Sequence, residues 1–329
     1  MRCFNRRLPC GLLACGLTLA ALLAPPARAM AAPGTGYDVK VLVITAFDPE
    51  AKPWVERKRI TRTFPIAGIA NPVRCTDDGV CILTAKMGKA NAAVSVSALL
   101  ADPPFDLSRT IFLTAGLAGG PPQVGTIGSV AWAHYILDFD LFHHLVLDRE
   151  GSNHDPLVER QVEPVGSELF TLNKPLVDLA YAVTKETKLS DSERAKAYRA
   201  HYPDQAGRVP GVLQCDTVAG DLYWHGRRLS AFVSELMKRQ TKGAGTYCTT
   251  EMEDSATADA LARFGYLDRY LNLRVIGNLD QPYSGQPVRD SLRQIYRPVA
   301  TENLFRVGDA FVTYVLAHRE EVLAKTQIR

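Results

Sequence analysis

The chain has 329 residues, 47% of them apolar and 22% charged, and its 38 basic and 35 acidic side chains give a formal net charge of +3. Residues 1–29 hold four arginines and no acid, so residues 30–329 carry 38 − 4 = 34 basic and 35 acidic groups, a net charge of −1. A near-neutral chain whose basic residues cluster only in the short run Glu56-Arg57-Lys58-Arg59-Ile60 lacks the footprint of a nucleic-acid or anionic-membrane binder.

Arg2, Arg6 and Arg7 precede an apolar run over 10–24, followed by Pro25, Pro26 and Ala27-Arg28-Ala29. That is the order of a secretory signal, and it predicts cleavage after Ala29 and a periplasmic or secreted mature protein. No later stretch approaches the roughly 18 consecutive apolar residues that span a bilayer, so an integral membrane protein is not expected. No linker, repeat or low-complexity block divides residues 30–329, which are expected to form one domain.

The elements follow in chain order. A buried strand is predicted over 39–47, a hairpin through 66–87, a helix of small residues over 90–101, and a strand over 110–115 that ends in glycines. Another strand is expected over 129–139, helices over 168–187 and 191–201, and a strand over 211–218. A helix from Ser230, a strand near Thr246, a helix inside "TEMEDSATADALARFG" (250–265), a strand over 273–279 and an amphipathic helix over 302–325 complete the pattern. Strand and helix alternate, which argues for an α/β fold of three layers around a mixed central sheet, with ligands bound where strand ends converge.

Four cysteines remain after the signal, in an oxidising compartment. Cys75 and Cys81 flank a three-residue Asp77-Asp78-Gly79 loop, and a left-handed Gly79 sets the two opposite each other, which predicts a cross-strand disulfide. Cys215 and Cys248 are either a second disulfide or two buried thiols. None of the four has zinc-site spacing, and His143-His144 with Asp138 and Asp140 matches no ligand pattern, so no metal is expected.

Five islands sit at predicted strand ends. In "TAFDPEAKPW", Glu50 follows a buried strand on a proline-stiffened turn, a placement suited to acid–base work. In "AKMGKANAA", Gly88 precedes a helix, and its neighbourhood either presents backbone N–H groups to a polar ligand or simply starts the helix. In "TAGLAGGPP", Gly116, Gly119 and Gly120 allow main chain to approach a ligand, although the spacing is neither a P-loop nor GxGxxG. In "CDTVAGDLYWHG", adjacent Tyr223 and Trp224 offer a stacking surface or belong to the core. The fifth joins Glu251, Met252, Glu253 and Asp254 to "RVIGNLDQP", where Asp280 ends a strand. No G-x-S-x-G elbow and no H-E-x-x-H helix is present.

The islands "DPE", "GKANAA", "TAGLAGG", "VGTIGSVAWAHYILDFD", "AGDLYWHG", "TEMEDSA" and "VIGNLDQP", in this order, resemble the purine nucleoside permease family of exported proteins over essentially the whole mature chain. In the islands alone, the chain is more distantly similar to the nucleoside phosphorylase and methylthioadenosine/S-adenosylhomocysteine nucleosidase superfamily. The resemblance implies a three-layer α/β/α nucleoside-phosphorylase-like fold and a purine nucleoside ligand. It further implies that Glu50 activates a water, Met252 lies under the sugar, Glu253 binds the ribose hydroxyls and Asp280 protonates the base. By the same resemblance Tyr223 and Trp224 stack the base, and Gly116, Gly119 and Gly120 with Leu117 and Ala118 line the ligand loop; Ala115 next to that loop and Gly88 before the helix are also expected among the nucleoside-binding residues. Glu251 is expected to face the ligand or support the residues that do, and Asp254 to be a favourable charge at a helix N-terminus.

Those residue types suit the reaction. Breaking a purine N-glycosidic bond develops positive charge on the sugar and negative charge on the base, so one carboxylic acid must donate to the base while another carboxylate prepares the nucleophile. Asp280 then has to hold a proton near neutral pH, and Glu253 has to stay ionised. The arginine-bearing glycine loop of the phosphorylases is not evident, which favours hydrolysis over phosphorolysis, with phosphate as the only co-substrate to test and no other cofactor. Leu279 and Ala219 stand where the superfamily usually has serines. The alternative is a non-catalytic nucleoside-binding component of purine nucleoside uptake, working with an inner-membrane transport partner; the pairing of Glu50 with Asp280 favours catalysis. The superfamily also implies a homo-oligomer.

Overall fold

The structure, a computed structural model, describes residues 36–101, 103–145, 157–159 and 164–326. The predicted signal, residues 1–29, lies outside the described residues.

Among the described residues, twelve strands form one mixed sheet. In chain order they are β1 (Val41–Thr45), β2 (Ile60–Phe64), β3 (Val73–Thr76), β4 (Val80–Thr84), β5 (Ile111–Gly120), β6 (Val130–Ala133), β7 (Tyr135–Asp138), β8 (Leu169–Thr171), β9 (Val212–Gln214), β10 (Asp216–Ala219), β11 (Tyr247–Glu251) and β12 (Tyr270–Leu279). The strand order is β8-β7-β10-β11-β5-β1-β4-β3-β2, while β12 pairs with β5 and β6, and β6 also pairs with β9. Sequences such as "VLVIT" in β1 and "VCILT" in β4 are apolar at consecutive positions and buried throughout, the pattern of strands covered on both faces.

The helices are α1 (Asp48–Arg57), α2 (Lys89–Ala101), α3 (Lys174–Thr184), α4 (Glu193–Arg199), α5 (Arg227–Gln240), α6 (Asp254–Arg263), α7 (Val288–Leu292) and α8 (Arg297–Lys325). Helices α2 and α6 pack on each other, and α1 and α3 both pack on α8, which gives the three-layer α/β/α arrangement. The core between the layers is anchored by fully buried Trp54, edge-on to Phe305 with ring centroids 5.0 Å apart, and by Trp132 against Phe311.

Several elements differ from expectation, each for a local reason. Asp48-Pro49-Glu50 is the first turn of α1 rather than a free turn: Pro49 sits in the first turn, where a missing N–H breaks no helical bond, and Pro53 is carried inside the helix. The predicted strand over 129–139 divides at His134 into β6 and β7, which hydrogen-bond to different neighbours. The one over 211–218 divides at Cys215. The helix expected from Glu168 begins instead at Lys174, after β8 and an Asn173 side chain that accepts from the Leu176 N–H as a cap. Gly116, Gly119 and Gly120 continue β5 instead of ending it, because β12 pairs with that strand in parallel as far as Leu279 opposite Gly120.

Both cysteine pairs are joined. Cys75 and Cys81 face each other across β3 and β4, with Gly79 at φ +96° in the turn between them. Cys215, between β9 and β10, is bonded to Cys248 in β11.

Candidate functional site

A pocket of about 160 Å³ opens where β1, β5, β11 and β12 end. A dry cavity of that size holds a benzene-sized ring. Three acidic positions from three different elements reach it, and each is held by partners that the fold supplies.

Glu50 comes from the first turn of α1, directly after β1. It is buried; its Oε2 accepts from the Ala46 N–H at 2.7 Å and its Oε1 from the Leu117 N–H at 2.6 Å. Burial pushes its carboxyl up to about 7, against the opposing pull of the Arg274 guanidinium and the Leu117 N–H.

The β11–α6 junction supplies the second group. Met252 and Glu253 line the pocket, and Glu253 Oε1 accepts from the Gly88 N–H at 3.0 Å. Gly88 has φ +93°, so the turn before α2 aims this N–H inward. Glu251 lines the pocket as well; it is buried, its Oε2 accepting from the backbone N–H groups of Glu253 and Asp254, while Oε1 has no partner. All three acids of the junction converge on Arg274 of β12, with N···O distances of 3.0 Å to Glu251, 3.2 Å to Glu253 and 2.7 Å to Asp254. One buried guanidinium against three carboxylates leaves an excess of negative charge. Burial first, and Asp254 second, hold the Glu251 carboxyl well above its ordinary range. Asp254 is the first residue of α6, as the helix-charge expectation requires, but it is fully buried and bonds to Arg274 and Asn272 and also to the hydroxyl of Tyr270.

Asp280 follows β12. It is buried, and its Oδ2 accepts from Ser230 Oγ of α5 and from the Tyr247 hydroxyl of β11, both at 2.8 Å. Leu279 and Ala219 offer no hydroxyl, and these two side chains from other elements hold the carboxyl instead. Burial pushes Asp280 up to about 6, opposed by the two hydroxyls.

The remaining candidates divide. Leu117, Ala118 and Gly119 line the pocket, whereas Ala115 is in the core. Gly116 lies against Arg274: a Cβ there would stand 2.4 Å from the guanidinium Nη1, so the missing side chain makes room for the arginine. Tyr223 is exposed at the pocket rim. Trp224 lines the pocket too but is itself buried against Phe139 and Tyr247, with ring centroids 6.2 and 6.0 Å away. The loop carrying both is tied down by Lys89, whose Nζ lies 3.0 Å from Asp138 and 2.6 Å from Asp140, while the Lys89 N–H donates to Asp221.

Sequence reasoning missed Arg274, Phe47, Asn278 and Arg297, the last three of which line the pocket. Arg274 had a signal: a lone cation inside the apolar run "YLNLRVIGNL" has to find carboxylates once that strand is buried. Among the described residues no cluster of His, Cys, Asp and Glu has the makings of a metal site, and no helix is long and apolar enough to cross a membrane.

The fold has solved counterparts. The structure aligns with 5′-methylthioadenosine/S-adenosylhomocysteine nucleosidase of Neisseria meningitidis at a TM-score of 0.55 and 15% identity, covering 84% of this chain and 99% of that one. It aligns with futalosine hydrolase of Helicobacter pylori at a TM-score of 0.56 and 15% identity, covering 84% and 98%. Among curated sequences, a probable purine nucleoside permease of Schizosaccharomyces pombe is 30% identical over 314 residues, 86% of this chain and 90% of that protein. A purine nucleoside permease of Candida albicans is 31% identical over 269 residues, 75% of this chain and 66% of that protein. The sequence profile of the purine nucleoside permease family matches residues 38–327, and the chain belongs to that family.

Proposed function

We propose that this chain is an exported protein that binds purine nucleosides and cleaves their N-glycosidic bond by hydrolysis. The observation that carries the reading is that Glu50 and Asp280, two buried carboxyls each raised toward neutrality, line one pocket with Met252 and Glu253. A site that only binds has no use for two such groups, since each costs stability when ionised in the interior.

In the proposed reaction Asp280 gives its proton to the base as the C–N bond breaks, Glu50 takes a proton from the attacking water, and the water oxygen bonds to the anomeric carbon. Glu253 accepts hydrogen bonds from the sugar hydroxyls, and Arg274 and the Gly88 N–H keep it oriented. Met252 supplies the apolar surface under the ring. Hydrolysis is favoured over phosphorolysis because the guanidinium beside Glu50, that of Arg274, is already engaged by three carboxylates and the Leu117 carbonyl. Two disulfides support an oxidising compartment and hence export.

The second reading is a non-catalytic nucleoside-binding component of purine nucleoside uptake that hands its ligand to a membrane partner. It is favoured by the permease names of the relatives. One experiment separates the two. Purified residues 30–329 are incubated with adenosine, inosine and guanosine, with and without phosphate, and free base and sugar are followed by chromatography. Base release that Asp280→Asn abolishes supports hydrolysis if phosphate is not needed. Saturable binding with no release selects the uptake component.

A further inference from the structure

Next to the pocket lies a larger open groove, about 710 Å³, between the length of α1, the first two turns of α8 and Arg74 of β3. The first turn of α1 separates the two spaces: Phe47 and Glu50 face the pocket, while Asp48, Pro49 and Lys52 face the groove. Arg297 lines both, its guanidinium over the Phe47 ring at 5.9 Å.

The charges of the groove do not cancel locally. Arg57 is paired with Glu302 at 2.5 Å, and Lys52 with Glu56 at 3.7 Å. Arg74 and Arg297 have no carboxylate within ion-pair distance among the described residues, and the one unpaired acid in the groove is Asp48, at its edge with the pocket. Arg297 is also the first residue of α8, where a cation opposes the helix dipole, so helix stability does not account for it.

We propose that the groove receives a phosphate carried on the 5′ carbon of the ligand, so that the protein takes purine nucleoside 5′-phosphates in preference to free nucleosides. This rests on the nucleoside reading above. If the base lies against Asp280 and the 2′ and 3′ hydroxyls against Glu253, the 5′ substituent is the group of a nucleoside left to face Arg297. Arginine suits it, because a planar guanidinium offers paired N–H donors to phosphate oxygens. Arg297 then holds the phosphate as it leaves the pocket, and Arg74 receives it from the groove side.

The test is calorimetric titration of adenosine, adenosine 5′-monophosphate and inorganic phosphate into residues 30–329 carrying Asp280→Asn, so that turnover does not consume the ligand. The expected result is that the monophosphate binds about tenfold tighter than adenosine or better, an advantage that shrinks at high salt. Arg74→Gln leaves adenosine affinity unchanged and lowers the ratio, and Arg297→Gln lowers it further. Equal affinities, or an advantage that survives both substitutions, overturn the proposal. So does inorganic phosphate that binds through Arg297 together with adenosine while the monophosphate gains nothing, since the anion is then a separate ligand. If neither adenosine nor the monophosphate binds, the nucleoside reading itself fails, and this proposal with it.

Discussion

Asp280 and Glu50 have opposite tasks in the proposed reaction, and their environments set a narrow pH window. Asp280, at about 6, must be protonated to donate, and Glu50, at about 7, must be ionised to accept. Activity therefore falls on the alkaline side as Asp280 loses its proton and on the acid side as Glu50 gains one. The kcat/KM profile, which reports the free enzyme, is expected to be bell-shaped with its maximum midway, at about pH 6.5. A profile that rises steadily to pH 9 would remove Asp280 from the role of acid. Glu50→Gln and Asp280→Asn are each expected to lower kcat by about a hundredfold or more, read from single-turnover base release. The same burial makes Asp280 a cost to the fold. Its folded value lies above its ordinary 3.8, so its contribution to stability is present below pH 3.8 and drains away as pH rises through about 6. The loss amounts to about 3 kcal/mol above pH 7. Urea unfolding of Asp280→Asn beside the parent protein should show the variant gaining relative stability between pH 5 and pH 8. No change in the difference across that range would mean that Asp280 is not perturbed by burial.

At the scale of elements, β12 is joined to the β11–α6 junction through Arg274, and β5 leaves room for it at Gly116. Arg274→Met leaves Glu251, Glu253 and Asp254 buried without a counter-charge. The expected destabilisation is about 3–5 kcal/mol, measured by urea unfolding at pH 7. Gly116→Ala forces the guanidinium aside by placing a Cβ 2.4 Å from it. Because Arg274 also touches Glu253, the substitution is expected to weaken nucleoside binding as well as stability. Intact affinity in that variant would show that Glu253 does not depend on Arg274 for its orientation. These are couplings between strands that lie far apart in sequence: Arg274 and Leu117, bonded at 3.0 Å, are 157 residues apart.

At the scale of the molecule, two disulfides cross-link the sheet, with sequence separations of 6 and 33 residues. Closing the longer loop removes more freedom from the unfolded chain, so replacing Cys215 and Cys248 by serine is expected to cost about 4 kcal/mol, against about 2 kcal/mol for Cys75 and Cys81. Thermal unfolding of the two double variants checks the order. The reverse order would place the main effect in the folded state instead.

How far the molecule was legible follows the range of the interactions. Alternating strands and helices, the Cys75–Cys81 hairpin with its left-handed Gly79, and the positions of Glu50, Glu253 and Asp280 at strand ends were readable because each rests on a local pattern of apolar spacing, turn chemistry or motif. The first turn of α1 was not, because the proline reads locally as a stiffened turn; the structure instead starts a helix there, with Trp54 packed on Phe305 of α8. Tyr223 and Trp224 could not be told apart in sequence; the fold leaves Tyr223 exposed at the pocket rim and buries Trp224 in the pocket wall against Phe139 and Tyr247. The sequence by itself determined the fold class, the family and which acids stand at the strand ends. Tertiary structure alone decided that Arg274 binds Glu251, Glu253 and Asp254 together, that Ser230 and Tyr247 hold Asp280, and that Cys215 meets Cys248. The physical reason is that a side chain's charge state and partners depend on what burial brings within about 3 Å of it, and those neighbours come from strands and helices tens to hundreds of residues away.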